Sequence, residues 1–203
     1  YQRSDRAPYV YKTSDYGKTW TKIVSGLPAD DFPRAVREDP KRKGLLFLGT
    51  ETGFYVSFDD GGTWQPLQNG LPVTPVHGIQ VKNDDLVIGT HGRSFYVMPN
   101  IGVLRQVSRE TANEPVVLFD PADAVRSVAP AVTIDYFLKQ AAEQVTVDIL
   151  DAQNTRITSF TGKAGEPEGR GGRGATPPTV ADDDEGGGRG AGPPRVGVAA
   201  GMN

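Results

Sequence analysis

The side chains best suited to bind or transform a ligand are the chain's two histidines, His77 and His91, together with three charged residues. Imidazole and guanidinium groups donate hydrogen bonds to anionic or carbonyl-bearing ligands, and a carboxylate orients such donors. These residue types therefore predict a ligand-binding face formed by Arg34, Glu51, His77, His91 and Arg93.

The same residues predict no catalytic set, no metal site and no cofactor. Two histidines lack the third ligand of a metal site and the nucleophile of a triad. A glycosidase needs two carboxylates roughly 5–10 Å apart, whereas the doublets at 30–31, 59–60 and 84–85 are typical of turns and solubilising charges. A plainer alternative is that His77 and His91 hydrogen-bond loop carbonyls, and that Arg34 and Arg93 pair with local carboxylates.

An eight-residue turn occurs twice and indicates the architecture that positions these groups. Turn 1 is 13–20, and turn 2 is 57–64, which starts 44 residues later. In each copy an Asp accepts hydrogen bonds from backbone N–H groups, and a Gly takes a positive φ. A Thr then begins the outgoing strand, and a Trp anchors that strand between sheets. The residues given this structural role are Thr13, Asp15, Gly17, Thr19, Trp20, Ser57, Asp59, Gly61, Thr63 and Trp64.

Two further echoes accompany the turns. Gly-Leu-Pro recurs at 26–28 and 70–72, and Leu-x-x-Gly-Thr before Phe-Tyr-Val recurs at 46–56 and 86–97. Self-similarity at about 40–50 residues is typical of β-propeller blades of four strands each. Strands a to d are predicted at 33–38, 44–49, 53–58 and 63–67, and again at 75–82, 85–90, 94–98 and 103–107.

A meander of four strands sorts its connections onto two faces. The c–d turns, which include turns 1 and 2, share one face with the a–b turns. The b–c turns and the connections between blades share the other face. Both histidines, Arg34, Glu51 and Arg93 fall in the second group, so we expect them together on the face opposite turn 2.

The rest of the chain has a different rhythm. Residues 1–108 are predicted as C-terminal propeller blades and 109–122 as a linker, followed by the first strands of an immunoglobulin-like β-sandwich at 123–161. The sandwich prediction rests on the alternation of apolar and polar residues at 132–139 and 145–149 and on a third candidate strand at 156–160. Residues 162–203 hold no aromatic residue and are rich in Gly, Pro, Arg and Asp. That composition predicts a disordered low-complexity segment.

The composition indicates which classes of partner this chain is expected to lack. The net charge of −3 gives no prior for nucleic-acid binding by the whole chain. Arg-Gly repeats at 169–174 and 188–190 resemble RNA-binding segments, but an acidic run separates them and no aromatic residue is interleaved. We therefore predict no nucleic-acid partner. No apolar run reaches the roughly 18 residues of a membrane helix, and the absence of cysteine excludes disulfides.

The two turns match the [ST]-x-D-x-G-x-T-W pattern, the Asp-box of sialidase-type and sortilin-type β-propellers. With its flanking residues, the chain resembles bacterial sortilin-like propellers often labelled BNR-repeat glycosyl hydrolases. In those relatives a FlgD-type immunoglobulin-like domain follows, and residues 134–139 and 145–150 resemble its first strands. Residues 200–203 resemble the lead-in to its next strand.

The resemblance implies an all-β fold and a fragment of an exported protein, secreted or periplasmic, that acts as a scaffold binding a protein, peptide or glycan. The alternative it implies is a sialidase-like or xyloglucanase-like glycoside hydrolase whose catalytic residues lie largely in blades outside this chain. A sialidase would need an arginine cluster and a Tyr–Glu pair, for which Arg34 and Arg93 supply only the arginines.

Overall fold

The computed structural model describes residues 5–122, 132–164 and 196–203. These residues form mainly β-strands in several antiparallel sheets with almost no helix, which confirms the all-β prediction. The chain divides into two compact units, Tyr1–Arg109 (unit 1) and Glu110–Asn203 (unit 2).

Unit 1 contains three antiparallel sheets in chain order. The first is a two-stranded sheet of β1 (Tyr11–Lys12) and β2 (Thr21–Lys22). The second is a four-stranded sheet of β3 (Pro33–Glu38), β4 (Leu46–Thr50), β5 (Phe54–Ser57) and β6 (Gln65–Pro66). The third is a three-stranded sheet of β7 (Val76–Lys82), β8 (Asp85–Thr90) and β9 (Phe95–Met98), followed by helix α1 (Gly102–Gln106).

The repeat in sequence is a repeat in strand register. Gly49 pairs with Phe54 and Leu48 with Tyr55 in the four-stranded sheet. At the matching positions Gly89 pairs with Phe95, as Ile88 does with Tyr96. The apolar run of β4 is buried on both faces, as a continuously apolar strand requires. In β8 Leu86 and Ile88 are buried, whereas Val87 on the other face is only partly buried.

Two apolar clusters fill unit 1. One lies between the four-stranded and three-stranded sheets and contains Phe47, Phe54, Val76, Leu86 and Ile88. The other lies on the opposite face of the four-stranded sheet, where Leu48, Tyr55 and Trp64 pack against Val10 and the segment 23–27.

The two turns form the hydrogen bonds that their sequences predict. In turn 1 Asp15 Oδ1 accepts from the Thr19 N–H at 2.8 Å, and Gly17 has a φ of 89°. In turn 2 Asp59 Oδ1 accepts from the Thr63 N–H at 2.8 Å. The hydroxyls of Thr13 and Ser57 also occupy matching places, accepting from the glycine N–H groups at 2.8 and 2.9 Å.

The predicted burial of both tryptophans is correct for one and wrong for the other. Trp64 is 2% exposed and donates its indole N–H to the Ile23 carbonyl. Trp20 is 59% exposed and donates instead to Gly17 of its own turn. The segment 23–27 covers turn 2, whereas no described residues cover Trp20 in the same way.

The predicted fourth strand at 103–107 is wrong, because this segment forms helix α1. Ile101 and Leu104 lie three residues apart, and both pack into the core between the sheets. A spacing of three places both side chains on one side of a helical turn, whereas a strand would direct them to opposite faces. The helix also places Arg105 beside Asp39 and Asp84.

The described residues of unit 2 form a three-stranded sheet and a hairpin. The sheet is ordered β10 (Val116–Leu118), β11 (Tyr136–Leu138) and β14 (Gly201–Met202), and the hairpin joins β12 (Gln144–Leu150) to β13 (Arg156–Lys163). A turn at Asp151 leads into β13, with Asp151 Oδ1 accepting from the Thr155 N–H at 2.8 Å.

Two predicted boundaries need correction. The segment 109–122, predicted as a linker, contains a 3-10 turn at Thr111–Asn113 and strand β10, because β10 forms a full ladder with β11. The predicted disordered segment 162–203 begins inside β13 and ends with β14, which pairs with β11. Residues 123–131 of the predicted sandwich and residues 165–195 of the predicted disordered segment lie outside the described residues.

Candidate functional site

A bulge at the start of the first strand in two sheets defines the first site position. Pro33 pairs with Thr50 and Ala35 with Gly49, so Arg34 stands between these pairs. In the next sheet Val76 pairs with Thr90 and Gly78 with Gly89, which leaves His77 in the same place. Arg34 and His77 are therefore structurally equivalent.

The residue after the paired threonine defines the second position. The Glu51 N–H donates to the Phe32 carbonyl at 3.1 Å, and the His91 N–H donates to the Pro75 carbonyl at 2.9 Å. Each carbonyl belongs to the residue two before the bulge residue. Glu51 and His91 are therefore equivalent as well, and each faces its own bulge residue.

The two positions hold a different polar pair in each sheet. Arg34 donates to Glu51 Oε2 through Nε at 2.8 Å and Nη2 at 2.7 Å, with both side chains about three-quarters buried. This confirms the alternative that Arg34 pairs with a local carboxylate. His77 and His91 stack instead, with ring centroids 5.2 Å apart and planes 11° from parallel. Both histidines are exposed.

Both pairs lie at the same end of unit 1, named here the paired end. A Cβ placed on Gly49 would lie 2.5 Å from Val76 Cγ1, so the ends of β4 and the start of β7 touch. Strand β5 runs away from the 50–53 turn, which places turn 2 at the opposite end of its sheet. The predicted separation between the site residues and turn 2 follows from this topology.

Arg93, the fifth predicted site residue, lies in the turn after β8 and is exposed. Its backbone N–H donates to Thr90 Oγ1 at 3.2 Å, and the Thr90 hydroxyl donates to the Ser94 carbonyl at 2.6 Å. The four-stranded sheet has the same device, since Thr50 Oγ1 accepts from the Gly53 N–H at 2.9 Å. A threonine thus fixes the turn that carries the second site position in both sheets.

Asp31 lies beneath the paired end and corrects the interpretation of the 30–31 doublet as solubilising. Its side chain is buried, accepting from the Thr50 hydroxyl at 2.7 Å and the Thr52 N–H at 3.1 Å. The Tyr55 hydroxyl donates to it at 3.3 Å. Burial, and then the negative charge of Asp31, raise the pKa of Tyr55. Asp31 therefore holds the turn on which Glu51 stands.

A second buried carboxylate, at the opposite end of the sheets, was not anticipated from the sequence. Arg105 donates to Asp39 from Nε and Nη2 at 2.8–3.1 Å, and its Nη1 donates to Asp84. Burial works to raise the pKa of Asp39, but the hydrogen bonds from Arg105 and from two backbone N–H groups outweigh it and lower that pKa. The cluster joins the two sheets and has a structural role. The spacing of Ile101 and Leu104, which is typical of one side of a helical turn, was the sequence signal that could have predicted helix α1 and with it the position of Arg105.

The described residues hold no group of three or more His, Cys, Asp or Glu side chains arranged to bind a metal ion. Within those same ranges no helix is long and apolar enough to cross a membrane. A comparison with protein-family models found none that matches this chain, and a search of curated proteins likewise returned no match.

Proposed function

We propose that unit 1 is part of a β-propeller and that its paired end binds a protein, peptide or glycan ligand. One observation carries the proposal: the same two backbone positions present a polar pair in successive sheets, at one end of the unit. A ligand lying across that end meets side chains from both sheets at once, which is how binding sites commonly form between repeated elements.

The propeller part rests on the repeat. The matching registers, bulges and turn hydrogen bonds of successive sheets are what a blade repeated around an axis requires. The Asp-box pattern resembles that of exported bacterial sortilin-like propellers, and this resemblance supports a secreted or periplasmic location as part of the proposal. For unit 2 the same proposal includes the first strands of an immunoglobulin-like β-sandwich.

The charges at the paired end favour a ligand rich in acceptors. Glu51 neutralises Arg34, whereas His77, His91 and Arg93 present exposed donors. Imidazole and guanidinium donors select carboxylate, sulfate, phosphate or carbonyl oxygens. The glycoside hydrolase alternative gains no support here, because Asp31 and Glu51 are both engaged in holding local structure.

A binding screen tests the proposal. The purified chain is applied to an array of neutral and acidic glycans and to a library of acidic peptides, and the best ligand is then titrated. Because hydrogen bonds to charged groups contribute about 1.5–3 kcal/mol each, the variant His91→Ala/Arg93→Ala should bind at least about tenfold more weakly. Its thermal stability should match that of the parent.

The control variant is Lys18→Ala/Lys43→Ala, which removes two exposed cations from turn 1 and the β3–β4 connection. It should bind like the parent. Equal affinity in the parent and in the His91→Ala/Arg93→Ala variant would show that the paired end is ordinary loop structure.

A further inference from the structure

The connection between the four-stranded and three-stranded sheets contains Asn69-Gly70, the one Asn-Gly pair in the chain. In such a pair the backbone nitrogen of the glycine can attack the carboxamide carbon of the asparagine, because glycine has no side chain to hinder the approach. The reaction also needs a backbone that can rotate into the right geometry. The structure of the connection therefore decides whether this pair reacts.

Residues 68–71 form a type I′ turn. Asn69 and Gly70 have φ values of 38° and 81°, and positive φ at both central positions defines this turn type. The Leu71 N–H donates to the Gln68 carbonyl at 2.6 Å. Half a rotation of the peptide between Asn69 and Gly70 gives a type II′ turn, whose first central residue has a ψ of about −120°. That rotation turns the Gly70 nitrogen toward the Asn69 carboxamide carbon, as ring closure requires.

The central peptide of this turn is free to rotate. Among the described residues, neither the Asn69 carbonyl nor the Gly70 N–H has a hydrogen-bond partner. A Cβ placed on Gly70 would meet nothing within 4 Å, so the space beside it is open. Glycine adopts φ of either sign with similar ease, and the change of φ at position 70 therefore meets little resistance.

The turn 59–62 shows what a fixed version of the same turn looks like. Asp60 and Gly61 also have positive φ, and the residues at its two ends share the same backbone hydrogen bond. Here, however, the Gly61 N–H donates to Ser57 Oγ at 2.9 Å, and Ile23 lies over Gly61. Rotation of this central peptide would break that hydrogen bond, so the turn is held in its type I′ form.

The earlier copy of Gly-Leu-Pro is fixed through the other group of its peptide. The Ser25 carbonyl accepts from the backbone N–H of Trp64 at 2.8 Å, and a Cβ on Gly26 would collide with the Trp64 carbonyl. Asn69 stands where the earlier copy has Ser25. Within the described ranges its carbonyl has no equivalent bond. Asn69-Gly70 is thus an unrestrained version of a turn that is held in place elsewhere.

We propose that Asn69 is a site of spontaneous covalent modification. The Gly70 nitrogen loses its proton to base and forms a bond to Asn69 Cγ, and the bond from Cγ to the amide nitrogen breaks, releasing ammonia. The product is a five-membered succinimide ring, which water then opens. Attack of water on the main-chain carbonyl carbon leaves isoaspartate, and attack on Cγ leaves aspartate. No oxidant or reductant takes part.

The modification changes both charge and chain length beside the paired end. Gln68, the residue before the site, accepts from the Phe54 N–H through Oε1 at 3.1 Å, and Phe54 directly follows the turn that carries Glu51. Either product adds a carboxylate next to this contact. Isoaspartate also adds a methylene group to the main chain, which lengthens the path from Gln68 to Leu71.

The test follows the full chain during incubation in mildly alkaline buffer. Peptide mass spectrometry and labelling by an isoaspartate methyltransferase should locate ammonia loss at Asn69, at a rate that rises with pH because the attacking nitrogen must lose its proton. The variant Asn69→Gln should stay intact, since its reaction needs a six-membered ring. The folded parent should react within about tenfold of the rate in urea, because the rate scales with the fraction of molecules in the reactive conformation.

The matched control is Asp60→Asn, which creates the same dipeptide in the fixed turn 59–62. Within one molecule of this variant, position 60 should react at least about tenfold more slowly than position 69, because its reactive conformation is less populated. Circular dichroism checks that the variant is folded. If it unfolds, the comparison of the folded parent with the parent in urea decides alone.

Two results would overturn the proposal. One is a folded parent in which Asn69 stays intact while the same residue reacts in urea, which would show that the 68–71 turn is held in place. The other is an equal rate at positions 60 and 69 of the folded Asp60→Asn variant, which would show that rotation of the central peptide does not control the reaction.

Discussion

Turn 1 and turn 2 contain the same hydrogen bonds but differ in their surroundings. In both, an Asp Oδ1 accepts from the N–H four residues later at 2.8 Å, and the central residues have positive φ. Around turn 2 the segment 23–27 packs over the motif, and the backbone N–H of Trp64 donates to the Ser25 carbonyl at 2.8 Å. Turn 1 has no such cover among the described residues. Eight residues are therefore sufficient for the turn, and its contribution to stability depends on what packs against it.

The largest expected difference is between the tryptophans. Trp64→Ala should lower the free energy of unfolding by about 3–5 kcal/mol, because it empties a buried aromatic site. Trp20→Ala should change it by less than about 1 kcal/mol, as for most exposed positions. Urea denaturation of the purified variants measures both. Equal losses would mean that Trp20 is covered in solution, which would break the comparison.

A smaller difference is expected between the glycines of the turns. Gly17 and Gly61 have φ values of 89° and 85°, so an alanine at either position adopts a strained backbone. A Cβ on Gly61 would also lie 2.4 Å from Ile23 Cδ1, whereas on Gly17 its nearest contact is Trp20 at 3.7 Å. Gly17→Ala should cost about 1–2 kcal/mol from backbone strain alone. Gly61→Ala should cost about 2–4 kcal/mol, since overpacking adds to the strain.

The same denaturation assay separates these effects. If Ile23 is the obstacle, then in an Ile23→Ala background the Gly61→Ala change should lower the free energy of unfolding by less than it does in the parent. The loss caused by Gly17→Ala should be the same in both backgrounds. Identical costs at the two glycines would show that the cover over turn 2 yields without loss of packing.

The smallest effect concerns acid. The Thr19 hydroxyl, and then the Thr19 N–H, lower the pKa of Asp15 to about 2. The unfolded value is about 4. A carboxyl whose pKa is depressed on folding contributes stability above its unfolded pKa and loses it as the pH falls through the folded pKa. The contribution of turn 1 should therefore disappear between about pH 4 and pH 2, and Asp15→Asn should flatten the dependence of stability on pH in that window.

Asp59 occupies the equivalent position in turn 2 and should show the same kind of acid dependence. Burial raises its pKa, but the Thr63 N–H and the Ser57 hydroxyl outweigh that effect, so the net shift is downward as well. Asp59→Asn should therefore also flatten the pH dependence. A parent whose urea midpoint is the same near pH 5 and pH 2.5 would contradict the prediction for both turns.

The strands of the repeated part were predictable from sequence because a repeat reports register directly. The strands predicted at 33–38 and 85–90 occur at Pro33–Glu38 and Asp85–Thr90. Meander topology also predicted that His77 and His91 lie together at one end of the unit, and in the structure their rings stack. The separate pairing of Arg34 with Glu51 was open as an alternative, because side-chain partners depend on distances that spacing does not provide.

The sequence by itself determined the features that need only neighbours in the chain. These are the turn hydrogen bonds, the positive-φ glycines, the alternation of strands and connections, and the turns that Thr50 and Thr90 fix. Each involves groups within a few residues of one another, so local geometry is sufficient.

Only the tertiary structure decided which copy of a repeated residue is buried. Trp20 and Trp64 have the same local sequence, and so do Phe54 and Phe95, yet one member of each pair is covered and the other is not. Helix α1 and the buried side chains of Asp31 and Asp39 belong to this group too, since their partners come from distant segments. Burial depends on what packs against a face, and no local pattern contains that information.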